Sequence, residues 1–88
     1  MEYFLNMSGN VFEASSPTDL VQKMGRFNAW TRNMDTTEYM NFVSQEMKES
    51  LNLNVDASDT KSFVKSMIKV GGLKKLSQAQ LNKYRKNK

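Results

Sequence analysis

Helix-start signals recur four times along this chain, and the segments between them are too short to fold alone. Ser16-Pro17-Thr18-Asp19 joins a capping hydroxyl to a proline suited to the first helical position and to an acid at the positive end of the dipole. Asp35-Thr36-Thr37-Glu38 has the form of a capping box, with Met34 and Tyr39 set as its hydrophobic staple. Ser58 or Asp59 caps a third helix, and Ser77-Gln78-Ala79-Gln80 is a second capping box stapled by Leu76 and Leu81. In a chain of 88 residues these stops leave only short helices. Helices under ~12–15 residues are marginal in water, so these must share a core. The length allows one compact domain.

The apolar pattern says what each segment buries. Leu20, Val21 and Met24 give a short stripe that Gly25 is expected to end. Met40, Val43, Met47 and Leu51 follow helical spacing over 36–50, widened by Tyr39 and Phe42. Phe63, Val64, Met67 and Ile68 form the apolar side of a helix over 60–70, which Gly71-Gly72 ends. The last helix, over 78–86, has only Ala79, Leu81 and Tyr84 to bury. Before the helices, residues 3–7 and 10–14 flank Ser8-Gly9 as a two-residue hairpin. That turn sets Leu5 opposite Phe12 and Tyr3 opposite Ala14, with all four on one face. Residues 51–55 alternate apolar and polar, as a third strand or a fraying helix end would. The expected fold is α+β: an N-terminal β-hairpin, with a third strand near 51–55, packed with three to four α-helices. Residues 1–73 make the domain, and 74–88 are a basic C-terminal helix or tail.

Chemistry is narrowed by what is missing. There is no Cys and no His. That removes disulfides, thiolate nucleophiles, zinc fingers and the imidazole base of a hydrolase triad. Asp56 and Asp59 lack the ligand series of a calcium loop, and capping explains both. Glu46 and Glu49 are the nearest approach to a paired-carboxylate site, and a solvated helix face accounts for them. The chain is therefore expected to be no enzyme, with no cofactor and no metal site. The acidic N-terminus, Met1-Glu2-Tyr3-Phe4, lacks the features of a signal peptide, and no apolar run approaches a membrane span. A cytoplasmic protein of a host cell is expected.

The charge is strongly divided. Residues 1–60 hold four bases and all nine acids, a net of −5. Residues 61–88 hold nine bases and no acid, a net of +9. Lys61, Lys65 and Lys69 repeat every fourth residue along one helix face. Lys74, Lys75, Lys83, Tyr84, Arg85 and Lys86 continue the series, with Tyr84 able to stack on a base. Such a block suits a nucleic acid through sequence-independent phosphate contacts, a nucleoprotein, or an acidic protein surface. The plainer alternative is a solvated tail that neutralises its own acidic body. A rival site lies in the unperiodic segment holding Arg26, Phe27, Trp30 and Arg32, residue types that dominate protein-binding hot spots. The plainer reading there puts Phe27 and Trp30 in the core.

Ser16, Pro17, Leu20, Val21 and Met24, then Trp30, Met40 and Val43, then Phe63, Val64, Ile68, Lys69 and Gly71 form one pattern across residues 3–73. That pattern resembles a group of small uncharacterised accessory proteins of phages and mobile elements from low-GC bacteria. The chain departs from the group in carrying Lys where acids are expected on the 60–70 helix, and in its tail after Leu73. The resemblance implies a small phage-borne binding protein, of the kind that includes anti-CRISPR inhibitors of host defence. The expected function is a non-enzymatic protein engaging a host nucleoprotein or nucleic acid through its basic C-terminal surface. The alternative is a protein–protein module using the Arg/Trp loop, with the tail serving solubility.

Overall fold

A computed structural model describes residues 1–86, with side chains through Lys83. In chain order its elements are β1 (Glu2–Asn6), β2 (Val11–Ala14), α1 (Pro17–Phe27), α2 (Thr36–Leu51), α3 (Thr60–Lys69), β3 (Leu73–Leu76) and α4 (Gln78–Lys86). The strands form an antiparallel sheet ordered β2-β1-β3. The fold is α+β, an N-terminal hairpin joined by a third strand and packed with helices.

The hairpin loop is one residue longer than expected. Asn6 N donates to Asn10 O at 3.0 Å and Gly9 N to Asn6 O at 3.2 Å, which closes the loop over Met7-Ser8-Gly9. Gly9 takes φ +86, the left-handed position that a three-residue loop requires. The register becomes Phe4 opposite Phe12 and Glu2 opposite Ala14, in place of Leu5–Phe12 and Tyr3–Ala14. A shift of one residue exchanges the two faces of a strand. Phe4, Phe12 and Ala14 thus enter the core, while Tyr3 and Leu5 are half-buried on the other face.

The third strand lies at Leu73–Leu76 and not near 51–55. Helix α2 runs on to Leu51, and Asn52 stops it in the left-handed region at φ 54. The Val55 carbonyl then accepts from Ser44 Oγ at 2.9 Å, and Asp56 N donates to Ser66 Oγ at 3.1 Å. Helix side chains therefore take the bonds a sheet neighbour would supply. Buried Val55 explains the apolar alternation as packing of a connection. The strand that does join the sheet follows a reversal after α3. Gly72 N bonds Met67 O at 2.8 Å and Gly71 N bonds Ile68 O at 3.2 Å, with Gly71 at φ +85. This is the six-to-one, five-to-two pattern of a Schellman end. The boundary expected after residue 73 falls inside β3, where Lys74 pairs with Leu5 and Lys75 with Phe4.

Three of the four caps are seen as expected at their own residues. Ser16 Oγ accepts from Asp19 N at 3.0 Å, and Asp35 and Glu38 complete a reciprocal capping box. Ser77 and Gln80 make the second box, at 3.2 and 2.9 Å. The third helix is capped by Asp59, the second of its two candidates. Gly25 does not end α1, which continues to Phe27. It lies beneath Tyr39, whose Cγ would be 3.3 Å from an added Cβ, so the position serves close packing.

Leu20, Val21 and Met24 of α1, Met40 and Met47 of α2, and Phe63, Val64 and Met67 of α3 form the core with Phe4, Phe12 and Leu73. Phe63 is fully buried, with its ring 6.3 Å from that of Tyr39. Ile68, expected on the apolar side, is 39% exposed. Leu76 and Leu81 are buried outside this cluster, where α4 packs on β3. Leu76 pairs with Tyr3, which puts it on the face opposite Phe4.

Candidate functional site

Helix α3, strand β3 and helix α4 meet at one edge of the sheet, and they carry the lysines. Lys61, Lys65 and Lys69 are exposed on α3, Lys74 and Lys75 on β3, and Lys83 on α4. Val64 and Ile68 face the sheet across a cavity of about 140 Å³ that Phe4, Ala14 and Lys75 also line. Phe63 points the other way, toward Tyr39. Helical spacing therefore sets Lys61 and Lys65 beside Ile68, on the side of α3 away from Phe63. On β3, Lys75 shares the face of Phe4 and Lys74 that of Leu76. The charges wrap the sheet edge from one face to the other. Side chains of Tyr84, Arg85 and Lys86 lie outside the described residues.

Few of these cations are neutralised by the acidic half of the chain. Lys75 Nζ lies 3.0 Å from Glu2 Oε1, and among the described residues no other lysine beyond residue 60 has an ion-pair partner. Many of the acids are engaged close to home. Asp35 and Glu38 bond each other's backbone, and Asp59 caps α3. Ser15 N and Lys23, 3.2 Å away, hold the Asp19 carboxyl below the usual carboxylate range. Ser58 does the same to Asp56. A lysine on an edge strand also discourages pairing with another chain, so Lys74 and Lys75 have a structural use besides binding.

The segment after α1 is a second candidate surface. Trp30 is 86% exposed and Phe27 58%, so neither closes the core as the plainer reading expected. The reason lies in Thr31. Its hydroxyl donates to the Gly25 carbonyl at 2.6 Å and lies 3.3 Å from that of Asn28, and the residue is 2% exposed. With Thr31 turned inward against the end of α1, its neighbour Trp30 is left facing solvent. Trp30 N donates to Asn28 Oδ1 at 2.9 Å, which fixes the loop backbone. The Phe27 ring stands edge-on to Phe12 at 5.3 Å. Arg26 and Arg32 are exposed and have no ion-pair partner among the described residues.

Beside this loop is a groove of about 400 Å³ between the hairpin loop, the end of α1 and the middle of α2. Phe27, Thr31 and Phe42 line it together with Asn6, Asn10 and Asn28. No local sequence signal marks such a site, because three separate elements build it. The basic edge and the loop residues were legible as types, and their exposure was not.

Tyr39 lies at the junction of the helices, and burial pushes its phenol up to about 12. A neutral phenol is therefore favoured in the folded chain. The stabilisation is complete below the unfolded value near 10 and is lost as pH rises from about 10 to about 12, amounting to about 2–3 kcal/mol. Alkaline thermal melts should show a steeper fall for the natural chain than for Tyr39→Phe. Equal slopes would contradict the assignment.

Glu46 and Glu49 are both exposed, and Glu49 Oε1 accepts from Gln45 Nε2 at 3.1 Å. Among the described residues no helix is long and apolar enough to cross a membrane. No family model, curated protein or solved structure matches the chain.

Proposed function

We propose that this chain is a non-enzymatic binding protein that engages nucleic acid, free or within a nucleoprotein, through the lysines of α3, β3 and α4. One observation carries the reading: Lys61, Lys65, Lys69, Lys74 and Lys83 stand exposed at one sheet edge, and among the described residues no acid is paired to them. Cations held in that way are free to replace counterions along a phosphate backbone. Helix α3 and strand β3 hold no Asn, Gln or Arg for reading base edges, and α4 offers only Gln78, Gln80, Asn82 and a single Arg85, so contact is independent of sequence. The resemblance of residues 3–73 to phage and mobile-element proteins suggests a host nucleoprotein as the target. A defence complex of the type that anti-CRISPR proteins inhibit is one such target.

The test is fluorescence anisotropy with labelled single strands and duplexes of about 20 nucleotides at about 50 mM salt, where micromolar dissociation constants or tighter are expected. Absence of binding to either form would remove the reading. Shortening the chain after Gly72 is a poor substitute, because it deletes β3 and leaves β1 without one neighbour.

A further inference from the structure

We propose that Glu2 is a built-in competitor for nucleic acid at Lys75, its carboxylate holding the place of a phosphate. The inference rests on the nucleic-acid reading above and names how one part of that surface is restrained. Of the lysines on α3, β3 and α4, Lys75 alone is held by an acid among the described residues. Lys75 Nζ donates to Glu2 Oε1 at 3.0 Å, within the range it would take to any anionic oxygen.

The sheet register puts the acid there. Phe4 pairs with Lys75, and Glu2 precedes Phe4 by two residues. Glu2 and Lys75 therefore share one sheet face as diagonal neighbours, within reach of two long side chains. That face lies under α3, for both residues line the small cavity whose other wall is Val64 and Ile68. The pair thus sits on the side of the sheet toward Lys61 and Lys65, which helical spacing sets beside Ile68. Glu13 is placed differently. It pairs with Tyr3 on the opposite face, in the strand farthest from β3.

The bond is weak enough to be displaced. Its two side chains are 55% and 57% exposed, and an exposed ion pair is worth about fivefold or less in an equilibrium. A strand already held by the neighbouring lysines presents phosphate to Lys75 at high effective concentration. A lone anion lacks that help. Every strand that reaches Lys75 must still open the pair and lie beside the released carboxylate, so affinity is lower than the count of lysines implies.

The test is anisotropy with a labelled single strand of about 20 nucleotides at about 150 mM salt, where charges more than about 8 Å apart are largely screened. Glu2→Gln should tighten binding by about three- to fivefold. Glu13→Gln, which removes the same charge from the other face, should change it by less than about twofold. In Glu2→Gln/Lys75→Gln the gain should vanish, with affinity within about twofold of the natural chain. Each site is exposed, so all three variants should melt within about 4 °C of the natural chain. A gain below twofold for Glu2→Gln, an equal gain for Glu13→Gln, or a gain that survives loss of Lys75 would overturn the competitor and leave the basic surface standing. Absence of binding by the natural chain and every variant would remove both readings.

Discussion

Replacing Lys61, Lys65 and Lys69 together by Glu is expected to weaken nucleic-acid binding by about 100-fold or more near physiological salt. The three side chains lie on one exposed face of α3, and none has an acid partner among the described residues. The substitution removes three phosphate contacts and sets three like charges against the ligand. It should also lower the salt slope by about 2, because a smaller number of counterions is displaced. Folding should change little. Exposed substitutions usually stay within about 0.5 kcal/mol, with a somewhat larger cost at Lys69, where a negative charge meets the negative end of the helix dipole. A variant that melts normally and binds as well as the natural chain would separate these lysines from function.

Phe63→Ala is expected to have the largest effect on stability. Phe63 is fully buried at the centre of the core, against the Tyr39 ring. Emptying such a site costs about 3–5 kcal/mol, the lost transfer energy and the cavity together. A domain of this size has roughly 5–13 kcal/mol in total. The variant should therefore lose a large part of its stability, and thermal melting should fall by roughly 15–35 °C. Ile68→Ala, on the same helix but 39% exposed, should cost much less. Equal effects for the two would mean that α3 packs through a different face.

The contrast between those two residues marks how far the sequence can be read. Caps are local, and Ser16, Asp35, Glu38, Asp59, Ser77 and Gln80 announce themselves within four residues of what they bond. The long-range pairings carry no such mark. Tyr3 meets Leu76 across nearly the whole chain, and Leu73-Lys74-Lys75-Leu76 does not alternate as a half-buried strand should. It belongs to the sheet because the Schellman turn at Gly71-Gly72 delivers it to the open side of β1. The alternating stretch at 51–55 lost that role because Ser44 and Ser66 took its backbone groups. The hairpin register turned on a single residue in the loop, with Gly9 set left-handed.

For the site, composition located the charge but not its surroundings. Nine bases without an acid beyond residue 60 define the surface, and the structure adds that Lys75 alone among the described lysines there is ion-paired. Trp30 was harder to read, since aromatic residues in a short chain are most simply expected inside. Its exposure follows from one buried hydroxyl, that of Thr31, whose bond to Gly25 depends on how the loop folds back.

The most direct measurement is the salt dependence of affinity for a single strand of about 20 nucleotides. If five of the exposed lysines meet phosphates, log affinity should fall against log salt with a slope of about −3 to −4. Between about 50 and 200 mM salt that is a loss of about 100-fold. Affinity that stays constant over the same range would contradict phosphate contact, and with it the function proposed for this surface.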